Sequence, residues 1–277
     1  MAFNNRNNKA KAHGVARVIS KRGYCSRSQA EKLVREGHVI LRGKPTRDPE
    51  APAYENDEIL VNGKPITASD FVYFAMNKPR GIVTTASDEK GRKTVMDLFR
   101  EEYAKMFPGK PMPHIAPVGR LDAASEGLLL FTNDTKWADV ILSGPSASSG
   151  NLPNKFGEPV EPTHTHLKIY RVQVKGKPSA TDLSQMEKGF NVAPRVFGEK
   201  EEFMHAERAV LHSDGEKNCW LEITLSEGKN REIRRMLAHL GYEVLRLMRI
   251  QFDKFKLEDL KPGKIKIIQN SEFIIQN

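Results

Sequence analysis

The stretch from Val118 to Asp134, V-G-R-L-D-A-A-S-E-G-L-L-L-F-T-N-D, constrains the fold more than any other part of the chain. Leu128-Leu129-Leu130-Phe131 is an apolar run bounded by turn signals, which reads as a buried strand. Thr132-Asn133-Asp134 can then open a helix, because Asn and Asp favour the N-terminal end, and Trp137, Val140 and Ile141 recur at helical spacing. Before the strand come the turn Gly119-Arg120-Leu121-Asp122 and a loop closed by Gly127. A single carboxylate, Asp122, is thereby held at the head of a rigid core element, where a chemical group can be kept still while a substrate approaches. Taken by itself, Asp122 reads equally as a solvated turn residue.

The charge is uneven. Residues 1–50 hold 12 Lys and Arg against 4 Asp and Glu, whereas residues 51–277 hold 32 against 31. Basicity at one end of a neutral body points to a polyanion-binding module. Residues 1–12 are Asn- and Lys-rich and read as a flexible basic tail without the apolar core of a signal peptide. No apolar run reaches the ~20 residues that span a membrane. Two cysteines, Cys25 and Cys219, make neither a disulfide framework nor a closed zinc site, so a reduced, cytoplasmic setting is expected.

After the tail, Val15 to Gly37 reads as two helices. Ser26 and Gln29 have capping-box spacing, Ala30, Leu33 and Val34 form an apolar stripe, and Gly37 suits a left-handed stop. Val39–Leu41 and Ile59–Val61 are short strands, each running into a turn at Arg42-Gly43 or Asn62-Gly63. The helix pair is expected to leave Lys21, Arg22, Arg27, Lys32 and Arg35 facing solvent or phosphate. The pattern of Gly23, Ser26-Arg27, Ala30-Glu31, Leu33-Val34, Glu36-Gly37, Val39, Gly43, Asp57, Ile59, Val61 and Gly63 resembles the S4-type RNA-binding domain, with Arg42 where that pattern often has Asn. The resemblance implies shape- and phosphate-directed binding through cations that do not read bases.

A second domain begins near Phe71, giving boundaries at 13–68 and 69–277. Tyr73 to Met76 alternate as a strand, turned by Asn77-Lys78-Pro79-Arg80-Gly81. Ser143–Thr165 is Gly-, Pro- and Ser-rich and reads as a long loop, in which His164, with His166 just after it, is a polar loop residue rather than a metal ligand. Leu167–Val174 is a strand with Tyr170, Val172 and Val174 on one face, and Trp220–Leu225 is another. In Glu227-Gly228-Lys229-Asn230-Arg231-Glu232-Ile233-Arg234-Arg235-Met236, Asn230 can cap a helix whose apolar face is Ile233, Met236, Leu237 and Leu240. Three arginines at a helix start oppose the macrodipole, which suggests a task for them.

Four motifs here resemble those of the RsuA family of bacterial rRNA pseudouridine synthases: N-K-P-x-G at Asn77; G-R-L-D through T-N-D from Gly119, with Ser125 in place of Thr; K-x-Y at Lys168; and E-G-K-N-R-x-I-R-R-M at Glu227, with Glu232 in place of Gln. The ending from Val244 to Gly263 is also similar, with Asp253 and Glu258 where Gly is common. The resemblance implies an α+β protein, a small S4-like domain joined to a catalytic domain with a mixed, largely antiparallel sheet. It further implies Asp122 as nucleophile, Arg234 paired with its carboxylate, and Tyr170 in the active site. Lys78, Arg120, Lys168, Lys229, Arg231 and Arg235 join Lys21, Arg22, Arg27, Lys32, Arg35 and Arg42 as candidate RNA contacts.

A carboxylate suits this isomerisation because it can attack, or stabilise charge at, the sugar C1′. A neighbouring arginine keeps it ionised. An aromatic ring can stack on the extruded uracil. The family route needs no metal or cofactor. Expected partners are ribosomal RNA, of the large subunit by preference, or a ribosomal-subunit assembly intermediate, met by a monomer with no membrane attachment. The alternatives are a small-subunit target, a nucleoside hydrolase, and a non-catalytic rRNA-binding assembly factor, which would need the basic module but not Asp122, Tyr170 and Arg234 together.

Overall fold

A computed structural model describes residues 12–67, 70–85, 88–143, 166–194, 200–213, 215 and 217–269. The basic tail before residue 12 and the loop at 144–165, with His164, lie outside the described residues. The chain forms two compact units. One comprises the described residues up to Val72 with Pro111–Ile115 and Thr132–Thr135, and the other comprises the remaining described residues.

In the first unit the helices Val15–Lys21 and Arg27–Arg35 pack on a four-stranded antiparallel sheet in the order Lys44–Thr46, Val39–Leu41, Ile59–Val61, Lys64–Pro65. The second helix starts at a complete Ser26–Gln29 capping box, and the chain leaves it through Gly37 at φ +85°. Both hairpins turn through two successive left-handed residues, Arg42-Gly43 and Asn62-Gly63, as two-residue turns that match strand twist require. Val15, Val18, Ile19, Ala30, Val34, Val39, Ile59 and Val61 form the core.

Arg22 departs from its expected outward orientation. It is 9 % exposed, and its guanidinium donates to the carbonyls of Ile66 (2.9 Å), Glu55 (2.9 Å) and Asp57. These carbonyls lie outside any strand ladder, and a buried carbonyl without a donor is costly, so the arginine is drawn inward. Burial lowers its pKa, with Asp57 opposing that shift.

The second unit is built on a mixed sheet with strand order Arg208–Ser213, Asn218–Leu225, Lys168–Lys175, Val244–Phe252, Glu126–Thr132, Tyr73–Lys78, Ile265–Ile267. The first four strands are antiparallel in succession, Val244–Phe252 runs parallel to Glu126–Thr132, and the last pair is antiparallel. Tyr73–Lys78 is buried along its whole length, and so is Glu126–Thr132 from Gly127 onward, so the alternation expected for Tyr73–Met76 is not matched by an alternation in burial. The helix Val95–Met106, begun by a Thr94–Asp97 capping box, sets Phe99 against Phe74 and Phe131. The helix that starts at Thr135 sets Trp137 edge-on to Tyr73, with ring centroids 5.1 Å apart. The described helices include none long and apolar enough to cross a membrane.

The Gly at 127 is demanded by the parallel pairing. Its φ is +102°, and a Cβ there would lie 2.3 Å from the carbonyl oxygen of Arg249 on the next strand. A Cβ at Gly63, φ +74°, would meet nothing within 4 Å. Gly63→Ala is therefore expected to cost only backbone strain, roughly 1–2 kcal/mol. Gly127→Ala must also push two central strands apart and is expected to cost about 3 kcal/mol or more. Urea unfolding of the two variants checks this; equal losses would contradict the close-approach account.

Candidate active site

The loop Leu121–Ser125 has no strand partner, yet every one of its carbonyls accepts a hydrogen bond from a fixed donor. Leu121 O receives the Thr84 hydroxyl (2.6 Å), and Thr84 Oγ1 in turn accepts the Leu121 amide. Asp122 O receives the Ser125 amide (3.0 Å) and Lys78 Nζ (3.1 Å). Ala123 O receives the Gly81 amide (2.7 Å), Ala124 O receives Arg234 Nη2 (3.1 Å), and Ser125 O receives Lys78 Nζ (2.7 Å). The Asn77–Gly81 turn and the helix Glu232–His239 thus grip the backbone on either side of Asp122. The side chain of Asp122 itself stays 39 % exposed. The backbone is immobilised and the carboxylate is presented to solvent, which is the arrangement a nucleophile needs.

Lys78 is central to this grip and is not the phosphate contact expected for it. It is fully buried at the end of its strand, and its ammonium spends three donors on the carbonyls of Pro79, Asp122 and Ser125. Burial pulls its pKa down to about 8, with the carboxylates of Asp122 and Glu126 pulling the other way. Glu126 is held in turn by both nitrogens of a fork from Arg246, at 2.9 and 3.0 Å.

The arginines are distributed differently from expectation. The helix begins at Glu232, one residue after the left-handed Arg231 (φ 52°, ψ 32°), and no side chain of Arg231 caps it. Asn230 is therefore not the N-cap. Glu232 reaches back to the Lys229 amide (2.9 Å), which places a carboxylate, not only cations, in the first turn. Glu232 is buried, and burial raises its pKa. Arg231 Nη1 lies 3.7 Å from Asp122 Oδ2. Arg234, expected to form that pair, instead donates to the carbonyls of Val244 (3.2 Å) and Ala124. Its pKa is lowered by burial and by Arg231, with Asp122 raising it and Arg80 lowering it further. Arg235, expected to await a phosphate, is drawn inward by Glu202 (2.5 Å) and the carbonyl of Ala193, leaving its side chain 12 % exposed.

Tyr170 is 8 % exposed and shares a buried face with Val172 and Val174. It stands opposite Arg249, which stands opposite Gly127 across the parallel pair. At ~4.8 Å per strand, its backbone is ~10 Å from that of Gly127, which lies just past the clamped loop. Lys168 is also buried rather than exposed to phosphate, and it donates to the carbonyls of Ser226 (3.4 Å) and Glu227 (3.2 Å). Burial lowers its pKa, and Arg249 adds to that shift. Arg249 went unnoticed in the sequence. It is buried, donates Nε to Leu128 O (2.8 Å), and lies 4.8 Å from the Phe252 ring centroid. Its signal is a lone cation within Leu247-Met-Arg-Ile250.

Other candidates remain outward. Arg120 and Arg35 are exposed. Lys32 is 75 % exposed near Glu36, and Arg27 pairs with Glu31 and Glu50. Arg42 is half-exposed and donates to Pro52 O. Lys21 is less open, bonded to Glu55 and beside His13. Lys229 donates to Phe203 O and pairs with Glu227. His166 lies 3.4 Å from Asp253, and among the described residues no three His, Cys, Asp or Glu form a group that could hold a metal ion.

Comparison with known proteins gives two family matches, RNA pseudouridylate synthase over residues 72–239 and S4 domain over residues 15–59. The chain is 32 % identical over 250 residues to ribosomal large subunit pseudouridine synthase B of Bacillus subtilis, covering 90 % of this chain and 89 % of that one. It is 33 % identical to an RNA pseudouridine synthase of Rickettsia felis, covering 92 % and 96 %. A solved pseudouridylate synthase superposes with a TM-score of 0.57 at 26 % identity, covering 94 % and 97 %.

Replacing Lys78 by Met fills the volume but removes three donors, and is expected to destabilise the protein by about 2–4 kcal/mol at pH 7. The folded-state pKa of Lys78 lies below its ordinary value, so the unfolded chain holds the proton more tightly between pH 8 and 10.5. This group therefore makes the parent more stable as pH rises through that window. The variant lacks that gain, so its deficit should widen from pH 7 to pH 10 in urea unfolding. A variant as stable as the parent at both pH values would contradict the clamp.

Proposed function

The chain belongs to the RNA pseudouridylate synthase family, in its S4-bearing RsuA-type branch, and from that premise we propose that it isomerises a uridine of ribosomal RNA with Asp122 as nucleophile. What carries this reading is the clamp, in which every carbonyl from Leu121 to Ser125 is held while the Asp122 carboxylate stays open beside a guanidinium.

In this reading residues 13–68 bind RNA through phosphates and residues 69–277 carry out the chemistry. The target uridine leaves its stack to reach the site. A carboxylate oxygen of Asp122 bonds to C1′ as N1 departs with the bonding pair. The freed uracil turns, and C5 displaces the carboxylate from C1′. C5 gives up its proton and N1 takes one up, so the product is an isomer and nothing is consumed. Tyr170 offers the ring that stacks on the base. No metal or cofactor takes part. Similarity to the Bacillus subtilis large-subunit enzyme favours large-subunit RNA as the substrate, acted on as free RNA or in an assembling subunit by a cytoplasmic monomer.

Asp122→Asn keeps the shape of the side chain and is expected to abolish pseudouridine formation in ribosomal RNA isolated from a strain lacking this protein. Its melting temperature and RNA affinity should match the parent. Turnover near that of the parent would remove Asp122 as nucleophile. Release of free uracil by the parent would make it a hydrolase instead.

A further inference from the structure

The turn at 226–231 lies between the strand Asn218–Leu225 and the helix Glu232–His239. Two buried side chains hold its backbone. Lys168, 8 % exposed, donates to the carbonyls of Ser226 (3.4 Å) and Glu227 (3.2 Å). The same ammonium stands beside Gly228, where a Cβ would lie 3.9 Å from Nζ. Glu232, 4 % exposed, accepts the Lys229 amide at Oε2 (2.9 Å), while its own amide donates to Lys229 O (3.2 Å).

Both charges are costly where they stand. Lys168 Nζ is 5.4 Å from the Phe252 ring centroid, and the buried Arg249 guanidinium is 4.8 Å from the same centroid. Burial and Arg249 press Lys168 toward the neutral amine, and Glu232 and Glu227 oppose them. Glu227 is half-exposed and drawn to Lys229 at 2.7 Å. Burial raises the pKa of Glu232, Glu227 adds to that shift, and Lys229 and His205 oppose it. A Gln, which the related family has here, could accept the Lys229 amide through its carbonyl oxygen but carries no charge. What the carboxylate adds is a counter-charge for a buried ammonium.

Resting on the reading of Asp122 as nucleophile, we propose that Lys168 and Glu232 are positioning residues for the reaction, two buried opposite charges that together set the turn entering the helix beside Asp122. The two loops of the site are then held alike, each by a buried lysine bonded to carbonyls: Lys78 at 121–125 and Lys168 at 226–227. A neutral amine has one donor fewer and forms weaker bonds, so the turn loosens as pH rises through the lowered pKa of Lys168. Without the charge of Glu232 that loosening comes at lower pH.

Full-length parent, Glu232→Gln, Lys168→Met and Asp122→Asn are compared on ribosomal RNA from a strain lacking this protein, from pH 6 to pH 9, below every melting transition. The parent-to-variant ratio of kcat for Glu232→Gln should rise ~10-fold across that range, with KM changed by less than about threefold. Ionisation of the RNA is common to both proteins and cancels in the ratio. Lys168→Met should lose ~10–100-fold in kcat throughout. A ratio that stays flat, a change confined to KM, or parental kcat in Lys168→Met would each overturn the proposal. If Lys168→Met does not fold, the Glu232→Gln ratio decides alone. If Asp122→Asn is inert and the ratio is flat, only the roles of Lys168 and Glu232 fail. If Asp122→Asn is active, the nucleophile reading fails instead, and the ratio still decides whether these two residues set the turn.

Discussion

The ammonium of Lys78, buried among backbone carbonyls, is the interaction on which the rest of this site depends. A loop entering a central strand cannot satisfy its carbonyls through a ladder, and water is excluded from its inner side. An apolar side chain would take a donor from each of those oxygens, leaving Asp122 O with the Ser125 amide alone, each loss comparable to a lost hydrogen bond. A lysine provides three donors from one atom and bridges Pro79, Asp122 and Ser125. Removing its charge from water is unfavourable, as its pKa of about 8 records, and the carboxylates of Asp122 and Glu126 partly offset that. The Arg246 fork on Glu126 extends the same network. Loop rigidity is thus obtained through charge burial, and the Asp122 carboxylate is left outside these hydrogen bonds.

Much of the scaffold was legible from local rules. The apolar run at Leu128–Phe131, the alternation in Leu167–Val174, the Ser26 capping box and the hairpin signal Asn62-Gly63 each report short-range physics that the chain carries in every context. The substitutions at Arg42, Asp253 and Glu258, where the related families favour Asn or Gly, do fall at positive φ. Those positions keep the backbone conformation, and the side chains bear its strain.

The destinations of the cations were not legible. Arg22, Lys78, Lys168 and Arg235 read as phosphate contacts because sequence reports charge, not where unpaired carbonyls and carboxylates will be. Each was drawn inward by groups brought together only in the fold: the Ile66 and Glu55 carbonyls, the clamped loop, the Ser226 and Glu227 carbonyls, and Glu202 with Ala193. The exchange of partners between Arg231 and Arg234 accompanies a shift in the helix start. Glu232 accepts from the Lys229 amide and the helix starts one residue later than an Asn230 cap would set it, with Arg231 near Asp122 and Arg234 on Ala124 O.

The measurement that bears most directly on this account is a map of pseudouridines across ribosomal RNA from cells lacking the protein, restored in parallel with the parent chain or with Asp122→Asn. The account predicts a defined uridine that loses its modification, regains it with the parent, and stays unmodified with the variant. An unchanged map in the deletion strain, or full restoration by Asp122→Asn, would contradict it.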